Sequence, residues 1–341
     1  MAEPVGLALI GLGKWSRQLA AAAQRSADVR LAACYTRTVE TRAAFGAEFD
    51  CLDAPSLEDA LSAPGVEAAV IAAPAHVHAE LTLACAERGV HVLVEKPMAL
   101  SVEDGRRMAD ACAQHGVTLM VGHEMRRLGS ARAAKRALDA GRLGRVVSAA
   151  GTMKLAGTFH PDNWRCFRES IRGGALMQLG IHPIETFNYL LGEPVSVRGV
   201  FANAAAPRDV DDVGIATIEY AGGAQAVVTS NYVSPSAYHF HLYGDAANLA
   251  CEPDMRVWPN ALEVDPNTRL EIRTRTTREP LDVEPRDVLV EQYADFARSI
   301  RQGTTPETGA REGLMALAVV EAALRAFASG EPVDPRQLLS A

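Results

Sequence analysis

Apolar residues recur along the first 125 positions as short unbroken runs. Residues 5–11 (VGLALIG), 29–36 (VRLAACYT), 68–74 (AAVIAAP), 91–96 (HVLVEK) and 118–123 (TLMVGH) each read as a strand buried on both faces. Between them, SRQLAAAAQR, AHVHAELTLACAERG and SVEDGRRMADACAQHG carry helical spacing. The last of these has Ser101 and Glu103 near its start and Gly116 just past its end, which mark helix boundaries. Apolar strands alternating with helices predict a parallel sheet covered on both faces, hence a doubly wound α/β domain over residues 1–125.

After residue 125 the pattern changes. Runs such as RVVSAAGTMKL, SVRGVFANA, GIATIEYAGGAQAVVTSNYV and AYHFHLYGD are longer and richer in β-branched and aromatic residues. Ala221-Gly222-Gly223-Ala224 splits one run into a hairpin. Helices near 176–191, 286–301 and 308–329 flank these strands, so residues 126–341 read as an α+β domain with a mainly antiparallel, open-faced sheet. The boundary is a direct crossover with no low-complexity tether.

Composition narrows the function classes. The 341 residues are 48% hydrophobic and 22% charged, ordinary for a globular chain of two domains. A net charge of -8 gives no general attraction to nucleic acid or to anionic membranes. No apolar run has the length of a membrane span, and the N-terminus lacks a signal-peptide pattern. The six cysteines are far apart with no C-x-x-C pair, which reads as free thiols in a reducing, cytoplasmic compartment. His76/His78 and His239/His241 lack nearby third ligands, so no metal site is expected.

Four stretches could carry chemistry. Gly11-Leu12-Gly13-Lys14-Trp15-Ser16 follows the first strand and opens a helix. A dinucleotide site needs glycine first for a tight turn, glycine second for close approach of the pyrophosphate, and a small third residue for helix packing, which Ser16 supplies. Alone, the match also fits an ordinary turn between strand and helix. The second strand ends without the acid that would bind a ribose 2′-hydroxyl; Thr36 and Arg37 suit a 2′-phosphate better, favouring NADP(H) over NAD(H). Glu95-Lys96-Pro97 stands at a strand end, where open α/β sheets bind ligands, although an isolated lysine there is commonly just solvated. Gly173–His182 is glycine-rich and leads into a helix that would place Gln178 and His182 on one face. Histidine is the usual general base near neutral pH, and a hydrogen-bonded structural histidine is the competing reading.

These stretches, with Ala73-Pro74 and His78, with Gly122–Arg127 and with Thr308–Gly313, occur in the order and spacing of the Gfo/Idh/MocA oxidoreductases, and the chain resembles that family over nearly its whole length. The resemblance implies an N-terminal Rossmann domain and a C-terminal domain for substrate binding and oligomerisation, whose flat sheet builds homodimers or homotetramers. It implies cofactor contacts from Gly11, Gly13, Lys14, Trp15, Thr36, Arg37, Ala73, Pro74, His78, Glu95 and Lys96, with Lys96 and His182 catalytic and a cis Lys96–Pro97 bond. The reaction implied is hydride transfer between nicotinamide and a secondary alcohol or ketone of a sugar, cyclitol or related ring. Oxidation of an aromatic cis-dihydrodiol, a redox-inactive dinucleotide-sensing regulator and NAD-recycling glycoside hydrolysis are the alternatives.

Two positions depart from the family pattern. Gln178 stands where the family has aspartate, and an amide cannot exchange a proton near neutral pH, so acid–base work falls on His182 and Lys96 while Gln178 positions substrate. Residue 185 is Glu rather than Asp. Arg126 or Arg127 could meet a substrate carboxylate or phosphate, and Trp164, Arg165 and Arg168 could line the site; for the basic run 126–145 a solvated face is the plainer reading.

Overall fold

The computed structural model describes residues 3–155, 164–167, 169–205, 209–257 and 261–340, the side chains of residues 165 and 261 excepted. Arg168, one of the cleft residues expected from the sequence, lies outside them, as does the side chain of Arg165. The chain divides into two compact units, residues 1–123 with 289–314, and residues 124–288 with 315–341.

In the first unit the elements run β1 (Val5–Ile10), α1 (Lys14–Arg25), β2 (Val29–Tyr35), α2 (Val39–Phe49), β3 (Leu52–Asp53), α3 (Leu57–Leu61), β4 (Ala68–Ile71), α4 (His78–Glu87), β5 (His91–Glu95), α5 (Val102–Gln114) and β6 (Leu119–Gly122). The strand order is β3-β2-β1-β4-β5-β6 with every pair parallel. All residues of β1, β4 and β6 are buried, as their unbroken apolar runs require of a sheet covered on both faces. Ser101 caps α5 by accepting from the Asp104 amide at 3.1 Å, and Gly116 beyond its end has φ +66°. Leu289–Leu314 also belongs here, although its helix reads from sequence as part of the second half. Tyr293 donates to the Leu19 carbonyl at 3.1 Å, Arg301 pairs with Glu67, and Thr308 ties to Val121 through a backbone bond of 2.7 Å and a side-chain bond of 2.8 Å.

The second unit contains α6 (Gly129–Asp139), β7 (Val146–Lys154), α7 (Ile181–Leu191), β8 (Pro194–Ala202), β9 (Val213–Tyr220), β10 (Gln225–Asn231), β11 (Ala237–Gly244), β12 (Asn248–Pro253), α8 (Ala261–Val264), β13 (Thr268–Arg273) and β14 (Arg278–Pro280). The helices α9 (Val288–Gln302), α10 (Ala310–Ser329) and α11 (Pro335–Ser340) complete the chain. The sheet order is β14-β13-β12-β11-β7-β10-β9-β8, with β7–β10 the parallel pair and the other pairs antiparallel. β9 and β10 alternate between buried and more exposed residues, the signature of a sheet with one covered face. Phe187 and Pro183 of α7 lie so close over Gly151 of β7 that a Cβ there would meet them at 2.9–3.0 Å, so glycine sets the helix–sheet distance. The expected hairpin joins β9 to β10, with Gly223 at φ +86°. Among the described residues no helix is long and apolar enough to cross a membrane.

Candidate functional site

The turn after β1 is built around Gly11. Its φ is +87°, and a Cβ would meet backbone atoms of Ala73 at 2.6 Å, so no other residue fits without shifting the loop after β4. Ser16, at the third small position, closes the turn by donating to the Gly11 carbonyl at 2.5 Å and accepting from the Gly13 amide at 3.1 Å. Gly13 is the N-cap of α1 in an extended conformation, and a Cβ there would enter open space, with no atom within 4 Å. The first turn of α1 has no acidic residue, and Lys14 is exposed on it. A helix N-terminus with a bare approach and no acid in its first turn is suited to a pyrophosphate, so these residues fit a dinucleotide.

The residues expected around that turn divide into exposed and structural groups. Thr36 is half-buried and Arg37 exposed just past β2. Arg42, to which the sequence reading gave no role, is buried and holds the carbonyls of Thr36 and Pro55 at 3.4 Å each, fixing the loop that presents Arg37. Trp15 donates its indole N–H to Glu95 at 2.8 Å, joining the glycine turn to the end of β5. Burial pushes the Glu95 carboxyl up, and the Trp15 N–H and the adjacent Lys96 charge oppose that shift. Lys96 is half-buried and its bond to Pro97 is cis. Ala73 and Pro74 are half-buried, but His78 is buried with Nδ1 at 3.0 Å from the Pro97 carbonyl and Nε2 at 2.8 Å from the Ala73 carbonyl. His78 therefore holds two loops in shape, with both ring nitrogens within hydrogen-bond distance of backbone carbonyls.

In the second unit the glycine-rich stretch makes a tight approach to the chain just before β9. Gly174 has φ +48°, and a Cβ would overlap the Asp211 carbonyl at 1.9 Å. Leu176–Gly180 then forms a π-turn that runs into α7, where a regular helix over 176–191 was expected. Such widened turns recur at functional sites because they re-aim side chains. Gln178 sits in the π-turn and His182 in the first turn of α7; both are buried. Tyr232 donates to Gln178 Oε1 at 2.6 Å. Thr186 Oγ1 meets the His182 carbonyl and the Tyr238 hydroxyl at 3.0 Å each, pinning the start of α7 to β11. Burial, with Glu185 and Glu124 nearby, pushes the Tyr238 phenol far up, so it stays protonated.

Of the arginines expected to meet substrate, Arg126 is engaged within the protein. Arg126, on the short turn Glu124–Arg127, is buried, paired with buried Glu185, and lies 4.9 Å from the Tyr189 ring centroid. Glu185 thus answers Arg126, a partnership that the sequence does not signal. Lys135 pairs with Asp139, and Arg142 with Glu279 at 2.6 Å, which agrees with a largely solvated basic face. Trp164 is half-buried in a 3₁₀ turn. His241 meets Glu252 at 3.1 Å on the second sheet. All six cysteines are free thiols.

Comparison with known proteins agrees with this arrangement. Residues 5–123 match the family model described as an oxidoreductase family with an NAD-binding Rossmann fold, and residues 131–250 match the corresponding Gfo/Idh/MocA C-terminal domain. A curated relative, D-xylose 1-dehydrogenase [NADP(+)] of Haloarcula marismortui, is 27% identical over 95% of this chain and 91% of its own. A crystal structure from Desulfitobacterium hafniense, provisionally described as an NADPH-dependent oxidoreductase, superposes with a TM-score of 0.95 at 31% identity, covering 99% of this chain and 100% of that one. The aldose-aldose oxidoreductase of Caulobacter crescentus, solved with glycerol, gives 0.88 at 25% identity over 97% and 99% of the two chains. On motif order, on the architecture of both units and on these matches, the chain belongs to the Gfo/Idh/MocA family of oxidoreductases.

Proposed function

We propose that this protein is an NADP(H)-preferring dehydrogenase or reductase that interconverts a secondary alcohol and a ketone, or a cyclic hemiacetal and a lactone, on a sugar, cyclitol or related ring. The observation that carries the reading is the glycine turn at the head of α1: a bare N-cap at Gly13, an exposed Lys14 beside it, and no acid in that first turn. The sugar-acting relatives support the substrate class. The NADP(+) relative, together with Thr36 and exposed Arg37, supports the cofactor preference.

In this reading the bound nicotinamide supplies the hydride acceptor or donor. His182 takes the hydroxyl proton in oxidation and returns it in reduction, and Lys96 holds the oxygen on which negative charge develops. Gln178, whose Oε1 accepts from Tyr232, positions the substrate. Trp164 and Arg165 complete the substrate side; Arg126 shapes it through Glu185. The same reading places the protein in the cytoplasm and pairs copies through the open face of the second sheet, where Val200 and Val227 are exposed. Light scattering in solution tests the pairing.

The activity test is a panel of aldoses, cyclitols, anhydrosugars and carboxylated cis-dihydrodiols with NADP⁺ and NAD⁺, followed at 340 nm, in wild type and His182→Ala. Turnover of a sugar or cyclitol with NADP⁺, falling about 10²–10⁴-fold in the variant, supports the reading. A variant that keeps its rate within tenfold removes His182 from the role of base, and turnover confined to dihydrodiols moves the substrate class.

A further inference from the structure

Gln178 leaves the site without the carboxylate that the family pattern has four residues before its histidine, yet the structure holds another carboxylate beside the same imidazole. The Glu124 Oε1 lies 3.9 Å from His182 Nδ1, with Glu124 2% and His182 3% exposed. Glu124 comes from the turn Glu124–Arg127, which packs against α7, and Gln178 from the π-turn leading into it. We propose that Glu124 is a positioning residue for His182, supplying the negative charge that position 178 no longer carries. This rests on the assignment of His182 as the base.

The separation is longer than a hydrogen bond and within ion-pair range, so the coupling is electrostatic: it favours imidazolium over imidazole. The imidazole nitrogen that faces Glu124 is Nδ1. In oxidation the proton of the breaking substrate O–H bond would pass to His182, with a bound nicotinamide supplying the hydride acceptor, and positive charge would then stand on the imidazole opposite Glu124. In reduction the same pairing keeps a proton on His182 ready to be returned. Among the described residues, buried Arg126 and Arg127 share the turn with Glu124, buried His123 precedes it, Glu185 lies with His182 on α7, and Tyr238 on β11 is close enough to feel both Glu124 and Glu185. Arg126 and Glu185 are bound to each other, and the Tyr238 phenol is kept protonated, so neither duplicates the role of Glu124.

The test uses full-length Glu124→Gln, which preserves shape and removes charge, and Glu124→Asp, which keeps charge on a shorter stem. The imidazole of His182 is titrated by nitrogen-resolved NMR, a readout that does not depend on turnover. In Glu124→Gln the His182 pKa is expected to fall by about one unit or more. The acid limb of kcat/KM moves down with it, and kcat falls about tenfold with KM within threefold. Glu124→Asp recovers most of both losses, and Glu124→Ala, with the same fall in the His182 pKa expected, serves as the measurement if the glutamine variant does not fold. An unchanged His182 titration in Glu124→Gln, or a titration in Glu124→Asp lowered by a unit or more, overturns the proposal. If His182→Ala keeps its rate while Glu124→Gln still shifts the imidazole, the pairing stands and the base assignment fails.

Discussion

Replacing Gly13 with alanine separates cofactor binding from folding, because this glycine contributes little to the apo fold. Its φ of -85° and ψ of -169° are open to any residue, and an added Cβ meets no atom within 4 Å. Alanine is a poorer N-cap than glycine by about 0.5–1 kcal/mol. Removing glycine's freedom in the unfolded chain offsets this by about 0.4–1 kcal/mol. The Tm without ligand is therefore expected within a degree or two of wild type. The same methyl stands in front of the amides that a pyrophosphate would approach. Losing one hydrogen bond to a charged group is worth about 1.5–3 kcal/mol, or roughly 10–150-fold in NADPH affinity. Gly11→Ala reverses the pattern. Its φ of +87° costs a non-glycine residue about 1–2 kcal/mol. Displacing the Ala73 backbone, met at 2.6 Å, adds about 1–3 kcal/mol, so the fold itself is weakened with or without ligand. Thermal unfolding of both variants, paired with nicotinamide fluorescence titration, reads the two effects. Gly13→Ala binding NADPH within threefold of wild type would refute the cradle; Gly11→Ala melting like wild type would refute the packing argument.

Three further outcomes follow from side chains away from the reacting centre. Burial depresses the His78 imidazole, so the unfolded chain binds that proton first, and the stability present above the ordinary histidine value of about 6.5 is lost as pH falls below it; urea midpoints at pH 7.5 and 5.5 should diverge more in wild type than in His78→Gln, and equal slopes would exclude His78. Arg126→Ala strands buried Glu185 and is expected to cost about 3–5 kcal/mol, visible as a lowered melting temperature; an unchanged melt with a raised KM would make Arg126 a substrate residue instead. Burial pushes the Cys85 and Cys112 thiols up to about 12, so iodoacetamide mapped by mass spectrometry should leave both unmodified in the native protein and label them only on unfolding.

The parallel sheet was legible because fully buried strands such as VGLALIG leave no polar residue to blur the signal. β12 and β13 were not, because polar residues such as Glu252 and Arg269 satisfy each other across strands: Arg269 meets Glu252 at 2.6 Å, and nothing local announces that partnership. α9 joined the first unit through Tyr293 and Arg301, contacts separated in sequence by more than two hundred residues. Residue types at the site were readable from Gly11, Lys96, Gln178 and His182, while their settings were not. The π-turn, the Tyr232 bond to Gln178 and the nearness of Glu124 to His182 depend on long-range packing, which periodicity does not encode.

The central claim is that the glycine turn and the end of β2 hold a dinucleotide carrying a 2′-phosphate. Fluorescence titration of the purified protein with NADPH and NADH tests it directly. The account predicts saturable NADPH binding at least tenfold tighter than NADH, with the preference lost in Arg37→Ala. Binding of NADH in preference, or of neither nucleotide, would contradict it.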